Sequence, residues 1–500
     1  MFRKILVANR GEIAVRVIRT CKEMGVQAAT VYSDADRKAL HVRLAAEAYD
    51  IGEAAPSESY LNVEKIIGVA KACGAEALHP GYGFLAENAR LVRRCEEEGI
   101  VFIGPPSSAM EAMGQKTTSR KKMVEAGVPV IPGTLEPIPD EDALEEEVRK
   151  IGYPVLLKAV AGGGGKGLRL VRSRKDLHSA FRLAQSEALS SFDDPSVYVE
   201  KYIEEPHHIE VQILADNHGN IVHLGERECS IQRRYQKVLE ETPSPFLDEE
   251  TRRRMGETAV KAAAAVGYRN AGTVEFVVDA DRNFFFLEMN TRLQVEHPVT
   301  EMVTGIDLVR SQIEIAAGLP LPFRQEDIRP RGHAIQCRIY AEDPDNDFMP
   351  SPGKITRLRA PSGGLGVRDD SGIYEGCEVP MEYDPLLSKL VTWGQTREEA
   401  IGRMMRALAE YQIQGIKTTV PFFQRILRHP AFVAGKTTTH FIQNLGRERK
   451  KTLEEEKTVA LIAAGIKSFS VGRSEFLTPK KPRMSHWKFQ GRLQQFSNRL

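Results

Sequence analysis

No apolar run in this 500-residue chain approaches the roughly 20 residues that a membrane-spanning helix needs. The first apolar stretch, Ile5 to Ala8, is shorter than a signal-peptide core and reads as a first β-strand. Net charge is nearly absent: 69 basic and 68 acidic side chains leave +1, which excludes a whole-molecule electrostatic nucleic-acid binder. Cysteine is sparse and scattered (positions 21, 73, 95, 229, 337 and 377), with no C-x-x-C pair. That argues for reduced, mostly buried thiols in a cytoplasmic protein. The turn Asn9-Arg10-Gly11-Glu12-Ile13-Ala14 lacks G-x-G-x-x-G, so dinucleotide binding is not indicated. What is present, 42% apolar and 27% charged residues, describes a soluble globular chain whose length implies about two to four domains.

Residues 1 to about 115 alternate strand and helix. KILVANR, VQAATVYS and IVFIG read as strands, and IAVRVIRTCKEMG and VEKIIGVAKACG as helices. This βαβ pattern predicts a parallel sheet. The proline-rich segment 131–140 (IPGTLEPIPD) reads as a connector into a second α/β region ending near 328. From 329 to 446 the chain is strand-rich and then helical. In 447–500, Leu453 to Ile466 has the makings of one helix, and 467–500 carries eight Lys/Arg against one acid, Glu475. That tail reads as flexible or partner-bound.

The stretch TVEFVVDADRNFFFLEMNTRLQVEHP predicts an antiparallel hairpin with a loop at 280–283. In that register 279 faces 284, 277 faces 286 and Glu275 faces Glu288. Carboxylates about 5 Å apart among phenylalanines repel, so either one is protonated or a cation lies between them. Asn290 adds a neutral oxygen on the same face. Two carboxylates and an amide oxygen, with no Cys or His beside them, suit a hard ion such as Mg²⁺. Beyond it, Asn290, Arg292, Gln294 and Glu296 alternate with Thr291, Leu293 and Val295 and would share one face of an extended chain.

YPVLLKAVAGGGGKGLRLVRS sets Gly162 to Gly165, Lys166 and Gly167 between two β-rich runs. Such a loop is either a flap whose N–H groups converge on phosphates or a floppy hairpin tip. It is not a Walker loop, because a strand and not a helix follows. Lys158, in the apolar strand before the loop, either meets an anion such as a nucleotide phosphate or reaches the surface; Lys116, opening a helix-like run, is a weaker case. The run ERECSIQRRYQK gathers Arg227, Arg233, Arg234 and Lys237 and is either a solvated face or part of a site. His207 and His208 are adjacent on a strand and face opposite ways, so they do not ligate one metal together. Arg338, among Ile335, Cys337 and Ile339, faces either an anion or a structural partner such as Glu342 or Asp343.

KILVANRGEIA, HPGYGFLAEN, FIGP, KAVAGGGGKG, CSIQRR-x-QK, EMNTRLQVEHPVTE and RIYAEDP, in that order, resemble the biotin carboxylases of the ATP-grasp superfamily over residues 1–446. The resemblance implies a Rossmann-like domain (1–115), an ATP-grasp domain (116–328) with a mobile lid at about 131–203, and a mixed, β-rich C-terminal domain (329–446). It implies ATP- and Mg²⁺- (or Mn²⁺-) dependent carboxylation of biotin by bicarbonate, through carboxyphosphate. By the same resemblance, Lys116, Lys158 and His208 contact ATP phosphates under Gly163, Gly164, Gly165, Lys166 and Gly167. Glu200, Lys201, Ile203, Gln232 and His440 lie about the adenine. Glu275, Glu288 and Asn290 hold the metal; Lys237, Arg292, Gln294, Val295 and Glu296 surround bicarbonate, with Glu296 as base; Arg338 serves biotin. Tyr235 departs from the family pattern, which has His there, and stands outside the catalytic set. No Met-Lys-Met segment is present to accept covalent biotin. This implies a separate carrier protein and a carboxyltransferase subunit; family likeness suggests a homodimer. The acceptor, whether acetyl-CoA (fatty acid biosynthesis), propionyl-CoA or pyruvate, is not encoded here. A carboxylate–amine ligase of the same superfamily and a non-catalytic scaffold are the competing readings.

Overall fold

A computed structural model describes residues 1–160, 168–361, 363–448 and 461–466. The Gly-rich loop at 161–167 and the basic segment 467–500 lie outside them. Of the helix expected from Leu453 to Ile466, residues 461–466 are helical and 453–460 lie outside the described residues. Near the N-terminus five parallel strands form one sheet, in the order Glu47–Asp50, Gln27–Tyr32, Lys4–Val7, Ala77–His79, Val101–Phe102. Ile5, Leu6 and Val7 are fully buried, as a parallel strand covered on both faces requires. The helix Gly11–Glu23 packs its apolar stripe (Ile13, Ala14, Val17, Ile18 and Cys21) beneath that sheet.

The largest element is an eight-stranded antiparallel sheet, ordered Phe284–Asn290, Asn270–Val278, His207–Ala215, Ile221–Arg233, Gln236–Thr242, His333–Tyr340, Leu386–Gly394, Val367–Ser371. It runs without a break past residue 328, because strand 236–242 pairs with 333–340, Leu239 opposite Cys337. A separate three-stranded sheet joins Val155–Ala159 to Leu168–Val171 and to Val197–Lys201, both antiparallel. The two strands expected on either side of the glycines are therefore present and paired. Helices Glu141–Ile151 and Arg174–Phe192 pack on this sheet through Leu144, Val148, Leu177 and Phe181. The first of them starts where Asp140 accepts from the Ala143 N–H. All six cysteines are free and buried.

The hairpin differs from its predicted register. Val278 pairs with Phe284, Val277 with Phe285 and Phe276 with Phe286; a bulge at Leu287 then restores Glu275 opposite Glu288. The loop is 279–283, closed by the Asp279 N–H donating to the Asn283 carbonyl at 2.9 Å. The reason is burial: Phe276, Phe284 and Phe286 all face the core, at 0%, 4% and 1% exposure. A one-residue slip corrected by a bulge serves both the aromatic face and the carboxylate face. The extended stripe is corrected too. The strand ends at Asn290, and residues 291–296 bend and turn into the helix His297–Thr304.

That helix is anchored by a buried charge cluster. Glu301 accepts from Arg16 at 3.0 Å and from Arg368 at 2.7 Å, and Arg368 also grips Asp370 with two bonds of 2.7 and 2.8 Å. Burial alone would raise the Asp370 carboxyl, but Arg368, Lys389 and Arg16 lower it to about 2. Its pKa is below the unfolded value, so its contribution is present above about pH 4 and lost as pH falls toward 2. We expect Asp370→Asn to cost about 2 kcal/mol at pH 7. In urea unfolding, the gap to the parent should narrow between about pH 4 and 2. Phe286→Ala should cost about 3–5 kcal/mol in the same measurement.

Candidate active site

Strand 207–215 carries two kinds of residue in alternation. Ile209, Val211 and Ile213 fill the hydrophobic core, while His208, Glu210 and Gln212 alternate with them. Its neighbours supply the counter-charges. Arg227 is completely buried and donates to Glu210 at 2.6 Å, Gln212 at 2.7 Å, Thr300 at 3.0 Å and Thr273 at 3.1 Å. Lys237 points from strand 236–242 into a ring of acids: its Nζ lies 2.5 Å from Glu210, 2.7 Å from Glu275 and 2.8 Å from Glu296. Arg338 bridges Glu240 at 2.6 Å and Glu296 at 3.0 Å. Neither Glu342 nor Asp343 is its partner; Glu342 pairs with Arg233 at 3.5 Å.

Burial alone would push every one of these carboxyls up. Lys237, Arg338 and Arg227 overcome it at Glu296, which lies well below the usual carboxylate range. Lys237 and His208 do the same at Glu275. At Glu210 burial prevails over Arg227, and at Glu240 it prevails over Arg338, carrying that carboxyl up to about 7. The Cys229 thiol, 4.0 Å from Glu296, is pushed well above its ordinary value by burial and by Glu210. It is not a nucleophile here.

Lys237, His208, Glu275 and Arg338 line a cleft of about 760 Å³. Of the residues singled out in the sequence, Lys158, Glu200, His208, Gln232, Lys237, Glu275, Glu288, Asn290, Arg292, Gln294, Val295 and Arg338 line it. Glu296 sits just behind, fully buried. It is the residue preceding helix 297–304, and its side chain reaches Lys237 and Arg338 instead of capping that helix. Arg292 donates to Glu87 at 2.9 Å, Asn290 Oδ1 at 3.1 Å and Gln294 Oε1 at 3.2 Å. Asn290 and Gln294 each donate an amide N–H to Glu275 at 2.8 Å. Lys158 meets an acid at 2.5 Å, Glu200, which also pairs with Arg120. Lys201 donates to the carbonyls of Gly152 and Tyr153, and neither it, Ile203 nor His440 lines the cleft. Lys116 opens the helix Lys116–Glu125.

For a divalent ion the oxygens of Glu275, Glu288 and Asn290 fit: they share one strand pair beside the cleft. The expectation that no histidine stands beside them is corrected, since His208 Nε2 lies 2.8 Å from Glu275. Nor is Glu275 protonated to relieve repulsion; the Lys237 ammonium offsets its charge. Sequence reasoning missed Glu87, Arg120, Glu210 and Glu240. Glu210 had the signal already used for Lys158, a charge inside an apolar strand. Glu87 lies in the motif HPGYGFLAEN but had no signal of burial or pairing.

Three family models match the chain: the N-terminal domain of biotin carboxylase (residues 1–110), the ATP-binding domain of the carbamoyl-phosphate synthase L chain (115–324) and the C-terminal domain of biotin carboxylase (336–444). A pyruvate carboxylase subunit from Methanothermobacter thermautotrophicus is 54% identical over 95% of this chain and 100% of that protein. Biotin carboxylase 1 of Bacillus subtilis is 54% identical over 89% and 98%. The chain belongs to the biotin carboxylase family. The crystal structure of the biotin carboxylase domain of Hydrogenobacter thermophilus 2-oxoglutarate carboxylase superposes with a TM-score of 0.84 at 50% identity, covering 89% of this chain and 98% of that one. That protein is a dimer in complex with MgADP, ADP and bicarbonate. The mixed α/β, ATP-grasp architecture and the activity follow from membership: an ATP-dependent ligase that carboxylates biotin, the first half-reaction of biotin-dependent carboxylases.

The ring around Lys237 sets a test of this biotin carboxylase. In Lys237→Ala, Glu210, Glu275 and Glu296 lose a shared cation, so each folded pKa should rise, at Glu210 from an already raised value. The penalty then grows as pH rises through the carboxylate range. Urea unfolding should show a loss of about 3–5 kcal/mol at pH 7, partly recovered at about pH 5.

Proposed function

We propose that the ring of Lys237, Glu296 and Arg338 is where bicarbonate is activated and biotin carboxylated. One observation carries this: the Glu296 carboxylate is fully buried and held between Lys237 and Arg338 at 2.8 and 3.0 Å. A base so placed takes the bicarbonate proton once the anion lies within about 3 Å. Arg292, with Gln294 and Val295, grips the planar anion, as a guanidinium fork does. Lys158 and His208, together with Lys116 and the glycines and lysine of 163–167, are assigned to the ATP phosphates. Glu200, Lys201, Ile203, Gln232 and His440 are assigned to the adenine side, with Glu200 ordering Lys158 and Arg120. Glu275, Glu288 and Asn290 would hold Mg²⁺ or Mn²⁺, which when bound offsets charge on the transferred phosphoryl group. Attack of bicarbonate oxygen on the γ-phosphorus expels ADP and yields carboxyphosphate, which breaks down to CO₂ and phosphate. Phosphate accepts the biotin N1 proton, Arg338 stabilises the enolate oxygen, and N1 adds to CO₂.

Biotin arrives on a carrier protein, and a carboxyltransferase partner takes the carboxyl onward. We favour pyruvate as final acceptor. The match to the Methanothermobacter pyruvate carboxylase subunit extends over 95% of this chain, whereas that to the Bacillus biotin carboxylase stops at 89%. The protein works as a homodimer, with domain boundaries near 115, 328 and 446 and the tail 447–500 as a further element. No described helix is long and apolar enough to cross a membrane, in keeping with a cytoplasmic enzyme. ATP cleavage should require both bicarbonate and biotin, and Glu288→Ala should lower kcat/KM by about 10² or more. Turnover driven by an amine and a carboxylate in place of bicarbonate would instead indicate the ligase reading, and undiminished turnover in Glu288→Ala the scaffold.

A further inference from the structure

Strands 221–233 and 236–242 are joined by only two residues, Arg234 and Tyr235, since Arg233 pairs directly with Gln236. Both lie in the left-handed region, at φ 51° and 65°. A two-residue turn of this kind favours Asn-Gly, and two large side chains there are strained. Neighbouring contacts hold the strained tip in place. Arg234 pairs with Asp347 at 2.8 Å, Arg233 with Glu342 at 3.5 Å, and the Arg233 guanidinium lies over the Phe348 ring at 4.1 Å. Strain maintained by tertiary contacts is a mark of functional placement. The residue it displays is Tyr235, which lines the cleft while remaining 74% exposed. In sequence it stands two residues before Lys237, whose ammonium sits on the cleft floor. Among the other lining residues are Tyr82, Phe84 and Tyr383; Phe84 is itself held at φ 43°.

We propose that Tyr235 is a specificity-determining residue whose ring packs against the fused ureido–thiophane rings and aliphatic chain of biotin as they enter the cleft. The inference rests on the biotin carboxylase reading of the site and adds a contact to it. Biotin brings an uncharged fused ring and a four-carbon chain into the cleft, whereas bicarbonate and the ATP phosphates bring charge. An exposed aromatic ring at the cleft suits the first. The hydroxyl is not required for this role.

The test is steady-state kinetics with free biotin as the varied substrate, on the full chain. Tyr235→Asn keeps a residue that tolerates the left-handed turn, so its Tm should equal or exceed that of the parent. Its KM for biotin should rise about 5-fold, with kcat at saturating biotin within about 2-fold of the parent. Tyr235→Phe should match the parent in both constants. An unchanged KM for biotin in Tyr235→Asn, a rise confined to the KM for ATP, or a Tyr235→Phe variant as impaired as Tyr235→Asn would each overturn the proposal. Absence of biotin-dependent turnover in the parent would instead overturn the reading on which it rests.

Discussion

One buried ammonium organises this protein. Lys237 contacts Glu210, Glu275 and Glu296, which come from three separate stretches of chain. Three anions this close and dry would repel one another by several kcal/mol without it. The arrangement closes with Arg227 beneath Glu210 and Arg338 beside Glu296, so strand order and helix start answer to one electrostatic condition. The eight-stranded sheet meets it: strands 207–215, 221–233, 236–242 and 333–340 are adjacent, and each presents one or more of these charges toward the same side.

The same balance gives the site its chemistry. Glu296 and Glu240 are both completely buried, and Arg338 touches both. Yet one is ionised well below the usual range and the other titrates near neutrality. The difference lies in the cations: Lys237 bonds Glu296 directly and Arg227 adds to it, whereas Glu240 is bonded by Arg338 and the neutral Gln336 amide. Two carboxyls whose environments separate their protonation are assigned different roles by that separation. Under the proposed mechanism Glu296 is the carboxylate that takes a proton, and Glu240 orients Arg338.

Much of this was legible in the residues. Glu275 and Glu288 face each other as the hairpin pattern requires, and the strands flanking the glycines are where β-rich composition puts them. What failed was local: the loop is one residue longer than read, and the bulge at Leu287 absorbs the difference. Strand periodicity carries no bulge signal, because a bulge answers to tertiary burial of Phe276, Phe284 and Phe286. The stripe from Asn290 to Glu296 succeeded in membership and failed in geometry. Its side chains converge through a turn, not by pleating.

Partners across the fold were the least legible. For Arg338 the residues left open an anion or a neighbouring acid, Glu342 or Asp343, since sequence offers only neighbours as structural partners. The fold offers Glu240 and Glu296, which are 98 and 42 residues distant. A buried guanidinium is satisfied by whichever carboxylates its sheet places opposite, and sheet order is a long-range property. This explains why Glu87, Glu210 and Glu240 escaped attention while Lys237 and Arg292 did not. A motif gathers residues that touch substrate along one stretch of chain, whereas the acids that hold those residues in place come from wherever the sheet puts them. Substitution at Glu240 would therefore act through Arg338, on its aim toward the cleft, with no contact of its own to the reacting atoms.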